Sequence, residues 1–131
     1  LRENQKQALP IRLQAYERMV LLLERINPAH LLLRVAPIGK SKDDYATLLT
    51  HQIQTEFEHN LSQQIYLTAE TWHVILKAKN STVQMIRKQA LRDEVVDADK
   101  MREAIMLELT EVEAPSAIAI SFIKEELKRV F

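Results

Sequence analysis

Two short sequences carry the residue types of a metal site. Glu56-Phe57-Glu58-His59 and Glu70-Thr71-Trp72-His73 each place a Glu three residues before a His. On a helix, positions i and i+3 share a face, so each pair can offer a carboxylate and an imidazole to one ion. Carboxylate-bridged dimetal bundles use two such pairs and one Glu from each of two further helices. Glu17, Glu24 and Glu108 are nominal suppliers of the latter. The enzyme this describes is a metal-binding helical bundle with Glu56, His59, Glu70 and His73 as ligands. A bundle-core metal needs inward ligands, however. Glu70 and His73 project away from the apolar stripe of their helix, and Glu56 and His59 fall at the edge of theirs and beyond it. The leading expectation therefore names no catalytic, cofactor-binding or metal residue and no cofactor, and keeps these four as the metal alternative.

Other catalytic chemistry finds little to work with. There is no Cys, hence no thiol nucleophile, disulfide framework or Cys-ligated metal. Ser62, Ser81, Ser116 and Ser121 sit on no Gly-framed elbow. Phosphate-cradling loops need several glycines, and Gly39 stands alone. His30 and His51 have no acidic partner at ligand spacing and read as surface or boundary histidines. The formal net charge is zero, which argues against nucleic acid as a partner, since that binding draws on an excess of Lys and Arg. Met85, Met101 and Met106 read as core filler before they read as a pliable groove.

The elements that must hold these residues are helices. One Gly and four Pro in 131 residues supply few turns, so the chain is built from long elements with few connections. Its length suits one domain with one core. The first helix spans about 3 to 26. Leu9, Leu13, Tyr16, Val20 and Leu23 form one stripe; Ala15, Met19, Leu22 and Ile26 form a second beside it. Together they make a broad apolar face that most other helices should pack against. Pro10 lacks an N–H, so it predicts a kink or a helix start within about two residues. Asn27-Pro28 ends this helix and caps a short one that stops before Pro37.

Ser41 caps a second long helix over Lys42–Gln63, with Tyr45, Ala46, Leu49, Ile53, Phe57 and Leu61 on its apolar face. Asn60 falls within that face, which fits a helix ending there. Ile65-Tyr66-Leu67 reads as an extended link. Thr68 caps a third helix to about Leu91, continuous through Asn80-Ser81-Thr82, with Lys79 snorkelling from the apolar side of Trp72, Ile75, Leu76, Val83, Ile86 and Ala90. A fourth follows Asp93-Glu94 and ends before Ala114-Pro115-Ser116. A fifth helix starts near Pro115 or Ser116, with Ile120, Ile123, Leu127 and Val130 spaced 3-4-3. The fold class is an all-α, single-domain bundle of four long helices plus one short helix.

Charge is segregated along the chain. Residues 1–40 carry seven basic and three acidic side chains (+4), residues 68–92 five and one (+4), and residues 93–115 two and eight (−6). Packing of the acidic helix beside a basic neighbour is the simplest use of this pattern. A basic start facing anionic lipid is the other.

Three stretches carry a resemblance. LPIRLQAYERMVLLLERINP (Leu9–Pro28), EFEHNLSQQIYLTAETWHVILKAK (Glu56–Lys79) and PSAIAISFIKEELKRVF (Pro115–Phe131) resemble an uncharacterised family of bacterial proteins. In that family a single N-terminal membrane-spanning helix runs into a cytoplasmic helical domain with no known activity. The resemblance implies that residues 1–8 continue an anchor absent from these 131 residues, with Arg2 and Lys6 beside the cytoplasmic face of the bacterial inner membrane. Together with the lack of catalytic constellations, it points to a non-enzymatic cytoplasmic domain of a membrane-anchored protein acting as a scaffold or adaptor, with protein partners, a second copy of the chain among them. A bundle holding a small ligand between its helices is a third reading.

Overall fold

The computed structural model describes the backbone of residues 2–130 and the side chains of residues 9–129. Six α-helices follow one another: α1 (Arg2–Ile26), α2 (Pro28–Arg34), α3 (Lys42–His59), α4 (Ala69–Ala90), α5 (Ala98–Glu111) and α6 (Pro115–Val130). A 3-10 segment, Leu61–Tyr66, joins α3 to α4. The domain is all-α. Among the described residues five helices are long, α1, α3, α4, α5 and α6, one more than the four of the expected fold class, with the break at Ala114–Pro115 where the sequence puts it.

The helix starts are set by side chains that satisfy the first free backbone N–H groups. Asn27 Oδ1 accepts from Ala29 N–H (3.0 Å) ahead of Pro28. Ser41 Oγ accepts from Asp44 N–H (3.1 Å), Thr68 Oγ1 from Thr71 N–H (3.1 Å) and Asp97 Oδ1 from Lys100 N–H (2.8 Å). Asn60 ends α3, and its Nδ2 donates to the Glu56 carbonyl at 2.8 Å. The chain then tightens into the 3-10 segment through Tyr66, where an extended link is the sequence expectation. α1 runs without interruption from Arg2 to Ile26 with Pro10 inside it, so no helix start falls at Pro10. A proline ring inside a helix forfeits one backbone hydrogen bond but leaves its neighbours' bonds available to carry the helix through.

α1 packs against α2, α3, the 3-10 segment, α4 and α6. α4 packs against α1, α3, α5 and α6. The core forms where these meet: Tyr16, Met19 and Leu23 of α1, Leu49 and Ile53 of α3, Ile75 and Ile86 of α4, Met101 and Ile105 of α5, and Ile123 of α6. α3 and α4 are antiparallel. Lys42 Nζ at the start of α3 donates to the Arg92 carbonyl just past the end of α4 (2.8 Å). At the other end the Phe57 and Trp72 rings stack with centroids 5.3 Å apart. Lys79 lies 4.9 Å over Phe57, so its stem crosses apolar surface and its charge meets a ring face.

The buried side of α4 is rotated from the one its apolar residues suggest. Thr71, Thr82 and Gln89 are buried, while Trp72, Leu76 and Val83 are half-buried. A helix with neighbours on several sides has no single inner stripe, and small polar residues whose hydroxyls bond back to the helix can go inside. Thr82 does so, donating to the Ala78 carbonyl at 2.8 Å.

Candidate functional site

The two Glu-x-x-His pairs do not converge. Glu56 is half-buried and committed to α1, with Arg25 Nε donating to its Oε1 at 2.6 Å. That bond holds the Arg25 guanidinium above its ordinary pKa. His59, Glu70 and His73 are all exposed, on α3 and on the outward side of α4. Of the nominal further ligands, Glu17 is exposed and Glu24 half-buried beside His30, whose Nδ1 lies 3.4 Å from its Oε2. Among the described residues, no group of three or more His, Asp or Glu is placed to hold a metal ion.

Glu108 has a different role. It is the hub of a polar network between α4 and α5. Lys88 Nζ donates to Oε2 at 2.7 Å and Gln89 Nε2 to Oε1 at 2.7 Å. Gln89 is buried, and its own Oε1 accepts from Arg92 at 2.7 Å. Burial pushes the Glu108 pKa up, but the bonds from Lys88 and Gln89 outweigh it and hold the carboxyl below its ordinary value.

α6 carries a carboxylate more deeply buried than that of Glu108. Glu126 of α6 is 4% exposed, and its Oε1 accepts from Thr68 Oγ1 at 2.7 Å. It therefore sits at the amino end of α4, where the helix dipole favours negative charge. Glu126 follows Ile123 by three residues on an inward stripe. That spacing was a legible signal, but a Glu there reads as solvent-facing unless the partner helix start is known.

Several grooves mark the surface, and three of them bear on function. One is a groove of about 510 Å³ between α3 and α4 with mixed polar and apolar walls. Thr47, Thr50, His51 and Gln54 form one wall, and Lys79, Asn80, Val83, Gln84 and Arg87 the other. It holds two permanent cations and no carboxylate. A second groove of about 390 Å³ is apolar and lies between α1 and the 3-10 segment, with Ile11, Ile65, Tyr66 and Leu67 in its walls. In its walls Ile65 is 74% exposed and Ile11 45% exposed, while Leu9 and Leu13, two residues either side of Ile11, are exposed on the other side of α1. A third, about 310 Å³, lies between α4 and α6, with Val74, Ala78, Ile118 and Phe122 in its walls. It is where the small-ligand reading would place a guest.

The model of a family of unknown function, DUF7935, matches residues 1–130. The chain belongs to that family. The match runs from α1 through α6, so the DUF7935 sequence pattern covers every helix described above. No curated protein and no solved structure matches this DUF7935 chain. Among the described residues no helix is long and apolar enough to cross a membrane.

Proposed function

We propose that this chain is a non-enzymatic domain of a membrane-anchored protein, held at the cytoplasmic face of the bacterial inner membrane, and that it works as a scaffold through protein contacts. The observation that carries the reading is the apolar end of the domain. Ile11 of α1 is exposed and adjoins exposed Ile65 and Tyr66 of the 3-10 segment. Clustered exposed apolar side chains mark an interaction surface more often than chance. Tyr66 adds an amphipathic ring suited to a boundary between water and an apolar phase. Arg2 and Lys6 come before this face in sequence, the order a positively flanked cytoplasmic exit from a bilayer requires.

A photo-crosslinking residue at Ile65 of the full-length protein in native membranes tests the reading. A discrete adduct with a membrane-associated protein is expected from Ile65 and not from Asp44, which is exposed on α3. Full-length protein that fractionates as soluble, or that gives no adduct from Ile65, would overturn it.

A further inference from the structure

We propose that the α3–α4 groove is a docking site for an acidic helix face, and that the face it takes is α5 of a second copy of this chain. The inference is separate from the membrane reading and does not depend on it.

The groove side is a stripe on α4. Lys79, Val83 and Arg87 are spaced i, i+4, i+8, so they climb one side of the helix over about 12 Å. The result is a cation, an apolar side chain and a second cation in line. Among the described residues neither Lys79 nor Arg87 has a carboxylate partner within ion-pair distance. Asp43 shares the adjoining surface with Arg87 but forms no ion pair with it, and Gln54 of the groove wall donates its Nε2 to Glu58 at 3.0 Å.

The matching stripe is on α5. Glu103, Leu107 and Glu111 have the same i, i+4, i+8 spacing, with an anion, an apolar side chain and an anion in line. All three are exposed, Leu107 by 64%. Glu103 pairs with the exposed Lys100 at 3.3 Å, a surface contact of little energetic weight. Two stripes of the same pitch and opposite charge can be superposed so that Lys79 and Arg87 meet Glu103 and Glu111 while Val83 meets Leu107.

The segregated charge of the chain points the same way. The net charge is zero, but the α5 region carries −6 and the α4 region +4. Only Lys88–Glu108 joins those two helices as an ion pair among the described residues. Leu107 and Glu111 share a groove with Lys88 and Arg92 of the same copy, yet among the described residues no ion pair joins Glu111 to either within that copy. Two copies that each give the α5 stripe to the other's groove form a closed, two-fold dimer.

Sedimentation velocity on the whole chain tests this, with charge reversal on each stripe. The wild type should form a dimer at about 50 mM salt whose Kd rises ten-fold or more by about 500 mM. Lys79→Glu/Arg87→Glu and Glu103→Lys/Glu111→Lys should each be monomeric, with far-UV circular dichroism confirming that both fold. Mixed in equal amounts, the two variants should dimerise with each other, because every reversed stripe then faces a reversed partner. A wild type that stays monomeric at about 1 mM chain and low salt would overturn the proposal, since contacts of this size should be visible there. So would a dimer that survives both reversals, folded variants that fail to pair, or a monomer that binds only an unrelated acidic helix.

Discussion

Replacing Glu108 by Ala removes the acceptor that ties α4 to α5. Its two donors lose their partner with different consequences. Lys88 is 60% exposed and returns to water, so that loss costs about 0–1 kcal/mol. Gln89 is buried, and an orphaned buried donor costs about 1–3 kcal/mol. The sum is about 1–4 kcal/mol, carried mostly by Gln89. Urea unfolding followed by far-UV circular dichroism at about pH 7 measures it as a lower midpoint with an unchanged slope. Adding Gln89→Leu to Glu108→Ala should recover about 1 kcal/mol, because no buried donor is then left alone. The pH dependence follows from the sign of the Glu108 shift. Its pKa is lowered in the folded state, so the stabilisation is fully present above the unfolded value of about 4.3 and is lost as pH falls through the folded one. The gap between wild type and Glu108→Ala should therefore narrow below about pH 4. A loss under about 0.5 kcal/mol, or a gap that stays constant with pH, would refute the assignment of Glu108 as a charged hub.

Three further outcomes are expected. Thr68→Ala removes the α4 cap and the donor to buried Glu126, and should cost about 2–4 kcal/mol in the same unfolding assay, with Thr68→Ser retaining most of the stability. Ile75→Ala, at a fully buried position between helices, should cost about 2–5 kcal/mol and leave the helical spectrum unchanged at low urea. Gly39 has a φ of +69° and open space around its Cβ position, so Gly39→Ala meets only the backbone penalty, about 1–2 kcal/mol, and Gly39→Asn should cost less.

The helices were legible because their signals are local. Asn27, Ser41 and Thr68 each cap within three residues, and the resulting starts fall where the sequence places them. Asp97 instead caps its helix four residues past Asp93, because an acidic run does not by itself say which carboxylate is the cap. The turn after Asn60 was less so. A 3-10 segment and an extended link have similar compositions, and Ile65 and Tyr66 are exposed, so no burial pattern separates the two. The polar interior was hidden for a different reason. Thr71, Gln89 and Glu126 are buried by helices that lie far away in sequence, and hydropathy periodicity reports one helix at a time. The α3–α4 groove shares that limit. Lys79 stood out as a charge on an apolar side, but the wall of Thr47, Thr50 and Gln54 becomes a wall only once α3 is known to run antiparallel beside α4. For the Glu-x-x-His pairs, spacing alone suggested chemistry that the separate helices and the Arg25–Glu56 bond do not assemble.

The packing of α6 against α1 has a consequence for synthesis. The core side chains Tyr16, Met19 and Leu23 emerge early, yet one of the helices that covers α1 ends at Val130, roughly a hundred residues later. Until that segment leaves the ribosome, part of the apolar face of α1 has no permanent cover. During that interval the nascent chain is a substrate for holdases and proteases, and for any lipid surface within reach. Closing α6 over α1 is thus the step that turns a sticky chain into a finished domain, and a chain stopped at Ala114 should be degraded rather than merely weakened.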